Sequence, residues 1–375
     1  MLFAVAAGTN VSTPLLLLYR DRLDLSGPAT TVVFGVYAAG LAPSLLASGP
    51  LSDRYGRRTL VLPFAALAGI ASLLFAGAQD SFALLLAARF LQGLVSGAVF
   101  TAGSAWVAEL CTAEGEESAA GRRNAVALAG GFSLGPLFAG LLAALLPYPL
   151  VLPYVVHAAV VVVGVLGVLR VPETAPRRRR QVGDPARDPL LPRGEGILAT
   201  TALAPVATGV YAFPATIIAG LPLLVALPGD GVVAIGVLAG ITLGTGAVVA
   251  PFQRRLGSWT AVVAAGCGSA GFALTAVAAG IGAGLLLVPA GLLLGAGSGL
   301  SLAAGLALTG RLAPVGRRGA LTGLFYTTAY LGFAAPFVIT SIAAAVGPVR
   351  PLAVAALLAA VLAVRWVGPA RSGRL

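Results

Sequence analysis

Lysine is absent from this chain of 375 residues, so all 24 of its cationic side chains are arginines. Charged residues of both signs make up only 10% of the positions. A soluble globular domain of ordinary composition carries about a quarter, so that class is excluded. Two cysteines, Cys111 and Cys267, fit neither a disulfide framework nor a metal-ligand cluster. No nucleophile–base pair, metal cluster or phosphate loop is visible, which argues against an enzyme and against any cofactor. The thirteen carboxylates all lie in loops or at the ends of apolar runs, so none is embedded where a membrane protein would carry a proton.

What is present is apolar. Hydrophobic residues make up 58% of the chain and the mean hydropathy is +0.96, values of a polytopic membrane protein. At roughly 20 residues per span the length holds about a dozen helices with short loops. The apolar runs are continuous rather than alternating, which excludes a β-barrel. The net charge of +11 comes from arginines in short loops. They form no groove or recognition helix, so no nucleic-acid partner is expected.

The stretch Gly49-Pro-Leu-Ser-Asp-Arg-Tyr-Gly-Arg-Arg58 interrupts an otherwise nearly charge-free run from Ala29 to Gly77. It cannot cross lipid and reads as a tight turn between two spans. The first span begins at Met1 with no basic region ahead of it and carries Thr9, Asn10, Ser12 and Thr13, too polar for a signal peptide. Six spans end near Leu169. A polar, proline-bearing segment with Arg177 to Arg180 follows, and six more spans complete the chain. The expected domains are a six-helix bundle at 1–169, a basic linker at 170–196 and a second six-helix bundle at 197–375. Twenty arginines fall in the even-to-odd loops and the C-terminal tail, against Arg20, Arg22 and Arg350 on the other side. The positive-inside rule then puts both termini in the cytoplasm.

The halves repeat. Pro50, Arg54 and Gly56 recur as Pro251, Arg255 and Gly257, although Asp53 becomes Arg254. Gly93 and Gly97 recur as Gly295 and Gly299, and Gly121-Arg-Arg123 recurs as Gly316-Arg-Arg318. Parallel repeats of this kind build a central site between two halves.

Three motifs follow in order on the first half. Gly49, Asp53, Arg54, Gly56, Arg57 and Arg58 resemble motif A of the major facilitator superfamily, between spans 2 and 3. Gly49 would let neighbouring backbones approach, and Gly56 permits a positive φ. Arg89, Gln92 and Gly93, on one face of span 4, resemble the superfamily's motif B, linked to proton coupling or substrate handling. The alternative for Arg89 is snorkelling to the outer interface. Gly131, Gly135, Pro136 and Gly140 in span 5 are similar to motif C, found in drug:proton antiporters, with Ala139 replacing a glycine. Pro136 frees the carbonyl of Phe132 and lets the helix bend.

The resemblance implies an all-α membrane protein of twelve transmembrane helices in two pseudo-symmetric halves. It implies a gate in which Glu109 pairs with Arg57 or Arg58 and Asp53 faces the start of span 11 near Arg318 and Gly319. Asn10, Thr13, Tyr37, Tyr211, Phe213, Tyr326 and Tyr330 are candidates to line a substrate cavity, core packing being the alternative. For His157 in span 6 a hydrogen-bonded structural role is expected over that of a proton carrier. The activity expected is proton-coupled efflux of a small hydrophobic or weakly cationic compound from a monomer in the plasma membrane. Uptake of a neutral or anionic metabolite, with Arg89 as the anion contact, is the alternative.

Overall fold

The computed structural model describes residues 1–174, 198–227, 229–312 and 318–375. The basic linker falls outside the described residues from position 175 on, including Arg177 to Arg180, as do Gly316 and Arg317. The described residues are helical throughout their ordered elements and contain no strand. In order they are α1 (Leu2–Arg22), α2 (Gly27–Tyr55), α3 (Arg57–Gly77), α4 (Phe82–Ala113), α5 (Glu117–Leu145), α6 (Leu152–Val168), α7 (Ala204–Ala215), α8 (Gly231–Val249), α9 (Thr260–Ile281), α10 (Leu287–Leu312), α11 (Arg318–Tyr330), α12 (Ala335–Val346) and α13 (Val349–Arg371).

Ten stretches are long and apolar enough to cross a bilayer, and α6 is a shorter apolar helix. One stretch, Gly231–Ile281, contains both α8 and α9, of 19 and 22 residues, each long enough by itself. Another, Leu321–Val346, joins α11 to α12 through a 3₁₀ turn at Leu331–Ala334. The described residues therefore make twelve passes.

The breaks between helices have local causes. Ser26 caps α2, its Oγ accepting from the Ala29 N–H at 3.3 Å, with Pro28 in the first turn. Ser81 does the same for α4 through Leu84 at 3.2 Å. Gly56, Gly257, Gly282 and Gly347 all end helices or turns at positive φ, where a side chain would be strained. The ten-residue turn expected at Gly49–Arg58 is shorter than the sequence implies. Helix α2 continues through Asp53 to Tyr55, and only Gly56, at φ 106, breaks the chain before α3. Charged residues cannot enter hydrocarbon, but they continue a helix beyond it without cost to its hydrogen bonds. The seventh pass, which carries Pro205, Pro214 and Pro222, is broken: π-helical turns at Ala199–Leu203 and Thr216–Gly220 flank α7, and a 3₁₀ turn follows at Leu221–Leu223.

The chain forms two compact units. One holds α1 to α6 with the start of α8, Gly229–Gly240; the other holds α7, α8 from Ile241, and α9 to α13. Each unit contains an especially close helix pair at the repeated glycines. In the first, a Cβ on Gly93 of α4 would fall on the Tyr37 carbonyl oxygen of α2, and one on Gly97 would lie 2.7 Å from the Leu41 oxygen. In the second, a Cβ on Gly295 of α10 would fall on the Thr242 oxygen of α8, and one on Gly299 on the Gly246 oxygen. The same glycines thus meet the same backbone row in both repeats. In lipid, where apolar helices gain nothing by leaving their solvent, such close contact supplies much of the attraction.

Gly93→Val is therefore expected to abolish recovery of folded protein, because the obstacle is backbone that cannot rotate away. Gly266→Ala in α9, where a Cβ meets nothing within 4 Å, should be neutral or stabilising by roughly 0.5–1 kcal/mol. Thermal unfolding of the two variants in detergent separates these outcomes.

Candidate functional site

At the α2–α3 junction Gly56 turns the chain so that Arg57 starts α3 facing both α2 and α4. The Arg57 guanidinium pairs with Asp53 at 2.6 Å and with Glu109 of α4 at 2.9 Å, and its Nε reaches the same Glu109 oxygen at 3.1 Å. It also donates to the Ser52 hydroxyl. Of the two expected partners, Glu109 takes Arg57 and not Arg58. Exposure divides the cluster: the Arg57 side chain is 12% exposed, Glu109 33% and Asp53 65%. The buried cation is thus held from inside by Glu109 and from the water side by Asp53. The side chains of Arg318 and Gly319, the expected partners of Asp53, lie outside what is described.

Residues the sequence did not single out complete this cluster. After α6 the chain folds back, and the Glu173 carboxylate accepts the main-chain N–H groups of Arg57 and Arg58, each at 2.9 Å. It thereby caps α3 and places negative charge at the positive end of its dipole. The neighbouring Thr174 hydroxyl donates to the free Glu109 oxygen at 2.5 Å, and Trp106 Nε1 donates to the Pro172 carbonyl at 3.0 Å. No sequence spacing announces a cap 116 residues away. Arg54 is exposed and lies over the Tyr55 ring, and Arg58 reaches the Val171 carbonyl at 3.5 Å. Gly49 leaves room for a side chain, since a Cβ there would sit 3.7 Å from the Thr101 methyl, so close backbone approach is not its role.

Deeper in the same unit Arg89 is 1% exposed, which rules out snorkelling. Its Nη1 donates to the Thr9 carbonyl of α1 at 2.7 Å and to Gln92 Oε1 at 2.6 Å. Gln92 in turn donates to the Gly8 carbonyl. The guanidinium plane lies 5.2 Å from the Phe34 ring and 5.4 Å from that of Tyr37, both on α2. Three helices are joined through one cation without a carboxylate, by carbonyl dipoles and ring faces. Its Nε meets no acceptor among the described residues. Close by on α1, Asn10 and Thr13 face each other at 3.4 Å.

His157 is buried, with Nδ1 2.6 Å from the Ser72 hydroxyl of α3 and Nε2 2.9 Å from the Ala4 carbonyl of α1. Because a carbonyl only accepts, Nε2 carries a proton and donates to it. Both nitrogens are engaged in joining α6 to α3 and α1, as a structural histidine would be. In α5 a Cβ on Gly131 would lie 2.5 Å from the Phe3 carbonyl oxygen, and one on Gly135 2.7 Å from the Ala7 Cα, so α1 rests directly on this helix. One turn on, Pro136 and Gly140 meet Gly236 of α8: Cβ atoms at Gly236 and Gly140 would lie 2.7 Å from the Pro136 oxygen and 2.9 Å from the Val232 oxygen respectively.

In the second unit Tyr211 stacks on Tyr330 at 4.9 Å and on Phe333 at 4.8 Å. The two tyrosine hydroxyls are 3.5 Å apart. The 3₁₀ turn after α11 brings Gly332 onto the α7 backbone at Thr208 and Ala212, which sets this stack. Phe333 lies one helical turn beyond Tyr330, the spacing that could have disclosed it. Phe213 stands apart, 9% exposed in a niche left by Gly209, Gly268 and Gly297 and edge-on to Phe272 at 5.7 Å. Tyr326 packs edge-on to Phe325 at 5.5 Å against the apolar core. The described residues hold no group of three or more potential metal ligands.

Comparison with known proteins gives three results. The family model for the Major Facilitator Superfamily matches residues 1–336. Multidrug resistance protein MdtL of Escherichia coli is 42% identical over 78 residues, and the match spans 21% of this chain and 20% of that protein. A peptide transporter POT in complex with sulfate superposes with a TM-score of 0.81 at 14% identity, covering 99% of this chain and 94% of the other. The nucleoside transporter NupG gives 0.73 at 12% identity, over 99% and 98%. These last two likenesses concern the fold alone.

In a double-mutant cycle, Arg57→Ala and Glu109→Ala should show a coupling on the order of 1 kcal/mol, since the pair is sheltered and doubly hydrogen-bonded. Denaturant unfolding of the four proteins measures it. Arg89→Lys keeps the charge but not the planar fork that bridges α1 and stacks on two rings, and is expected to lower the unfolding temperature by several degrees.

Proposed function

The chain belongs to the Major Facilitator Superfamily, and on that premise we propose that it is a secondary transporter that exports a small hydrophobic or weakly cationic compound in exchange for protons. The carrying observation is the seating of α5: its Gly131 and Gly135 meet the backbone of α1, and its Gly140 that of α8. This is the segment that resembles the antiporter motif, and the partial identity to a multidrug resistance protein points the same way. Two six-helix halves, 1–169 and 197–375, would rock about a midplane cavity, with the 170–196 linker and both termini on the cytoplasmic side of the plasma membrane. Asn10, Thr13, Tyr37, Tyr211 and Tyr330 supply polar and aromatic faces for such a ligand, with Phe333 added to them. Phe213 and Tyr326 support that surface from behind.

The described carboxylates stand near helix ends or in the turns between helices, so a strongly cationic substrate at mid-membrane would have nothing to balance its charge. Proton uptake then falls to the gate, where Asp53 is open to water and Glu109 is partly so. In this reading the Arg57 cluster closes the inner side while the transporter faces outward, and separation of Asp53 from Arg57 loosens it. Arg89 supports the second reading, uptake of an anionic metabolite, because its Nε is buried without an acceptor.

Proteoliposomes loaded with a pH indicator test these alternatives. Adding a hydrophobic weak base on one side should drive protons toward that side, whereas protons moving with the compound would favour uptake. Asp53→Asn should reduce this flux to background while the unfolding temperature stays within about 2 °C, because Glu109 still holds Arg57. Unchanged flux would remove Asp53 from the gate.

A further inference from the structure

We propose that one end of the second unit binds a phosphate-bearing anion, supplied in the membrane by the headgroup of an anionic phospholipid. From Gly231 to Leu375 the sequence contains no aspartate or glutamate, yet it carries nine arginines. Among the described residues of the first unit three arginines have carboxylates: Arg22 has Asp80, Arg57 has Asp53 and Glu109, and Arg123 has Glu114 and Glu116. Among the described residues of the second unit no acidic side chain is present to play that part.

One of these nine arginines, Arg311, lines a cavity. A space of about 180 Å³ opens between the turn before α9 and the end of α10, walled by Gln253, Ser258, Arg311 and Leu375 over an apolar floor of Val206 and Leu308. A water molecule takes about 30 Å³ in the liquid, so a phosphate group with some of its hydration fits. Arg311 donates to the carbonyls of Leu375 at 2.7 Å and Gly373 at 2.8 Å, and the Ser258 hydroxyl donates to the Ala370 carbonyl at 2.8 Å. These bonds bring the end of α13 and the residues after it to the cavity. They bring Arg371 and Arg374 with them, and Arg254 and Arg255 adjoin Gln253. Arg254, Arg255, Arg371 and Arg374 are exposed and pair with no acidic side chain among the described residues, so the local field favours an anion.

The surroundings favour a lipid over a soluble ion. Phe252 and Trp259, 48% and 39% exposed, bracket the turn that carries Gln253 and Ser258. Aromatic side chains beside arginines at the end of a transmembrane helix are the composition of the bilayer interface. The inference depends on the membrane setting and not on the direction or substrate of transport.

The test is thermal unfolding of the full chain in neutral detergent, titrated with phosphatidylglycerol, phosphatidylcholine or inorganic phosphate. Phosphatidylglycerol should raise the unfolding temperature saturably, and less so at high salt. Phosphatidylcholine and phosphate should not. Arg254→Gln with Arg255→Gln removes two exposed charges that hold no structural contact with a carboxylate, and should weaken the apparent affinity by roughly ten- to thirty-fold. Arg350→Gln, outside this cluster, should leave it unchanged. Equal protection by phosphatidylcholine, an unaltered response in the double variant, or an equal loss in Arg350→Gln would overturn the site. Protection by inorganic phosphate at matched concentration would overturn the lipid as its source.

Discussion

Hydrocarbon offers a polar group no partner, and that requirement determines where each charged and hydrogen-bonding side chain of this chain can stand. Among the described residues, most arginines and all acids stand near helix ends or in the turns between helices. The exceptions are satisfied from within: Arg89 by α1 carbonyls, Gln92 and two ring faces, His157 by Ser72 and Ala4, and Ser44 by the Leu94 carbonyl at 2.5 Å. Each of these groups ties two or three helices together, because the partner it needs is on another helix. Polar residues inside the first unit thus fix helix register, while its apolar residues are interchangeable with lipid.

The same lack of a hydrophobic driving force explains the glycines. Where α4 lies on α2 and α10 on α8, the approach is set by backbone meeting backbone. The correspondence of Gly93 with Gly295 and of Gly97 with Gly299 records one helix pair used twice. Charge was not preserved with the packing. The position of Asp53 is Arg254 in the second repeat, which carries no acid after Asp230, and among the described residues a carboxylate-held arginine of the Arg57 kind stands in the first unit alone.

Much of this architecture was readable in the sequence. Span positions follow from apolar runs interrupted by arginines, and the broken seventh pass from Pro205, Pro214 and Pro222. The position of Glu109 at the end of an apolar helix left Arg57 and Arg58 both open as partners, and the fold selects Arg57. What escaped depends on contacts remote in sequence. Glu173 caps a helix that begins more than a hundred residues earlier, and its neighbours give no sign of it. Phe213 shares its composition and spacing with Tyr211, yet only the three glycines opposite it decide that it packs inward. The length of α2 was underestimated because polarity marks the edge of the membrane and not the end of a helix. Those two limits coincide only where a residue such as Gly56 breaks the backbone.

The Arg57 cluster, proposed above as a gate, divides firm holding and easy release between its two carboxylates. Glu109 receives two bonds from the guanidinium and is itself steadied by Thr174, so the sheltered cation keeps a partner at all times. Asp53 is mostly exposed, and losing it returns a carboxylate to water and not to hydrocarbon. Breaking the outer contact therefore leaves no buried charge uncompensated, the condition under which such pairs become costly to separate. Glu173 meanwhile holds the start of α3 through main-chain N–H groups, which neither carboxylate of the pair uses. The outer half of the cluster can change partners while the helices that carry it stay where they are.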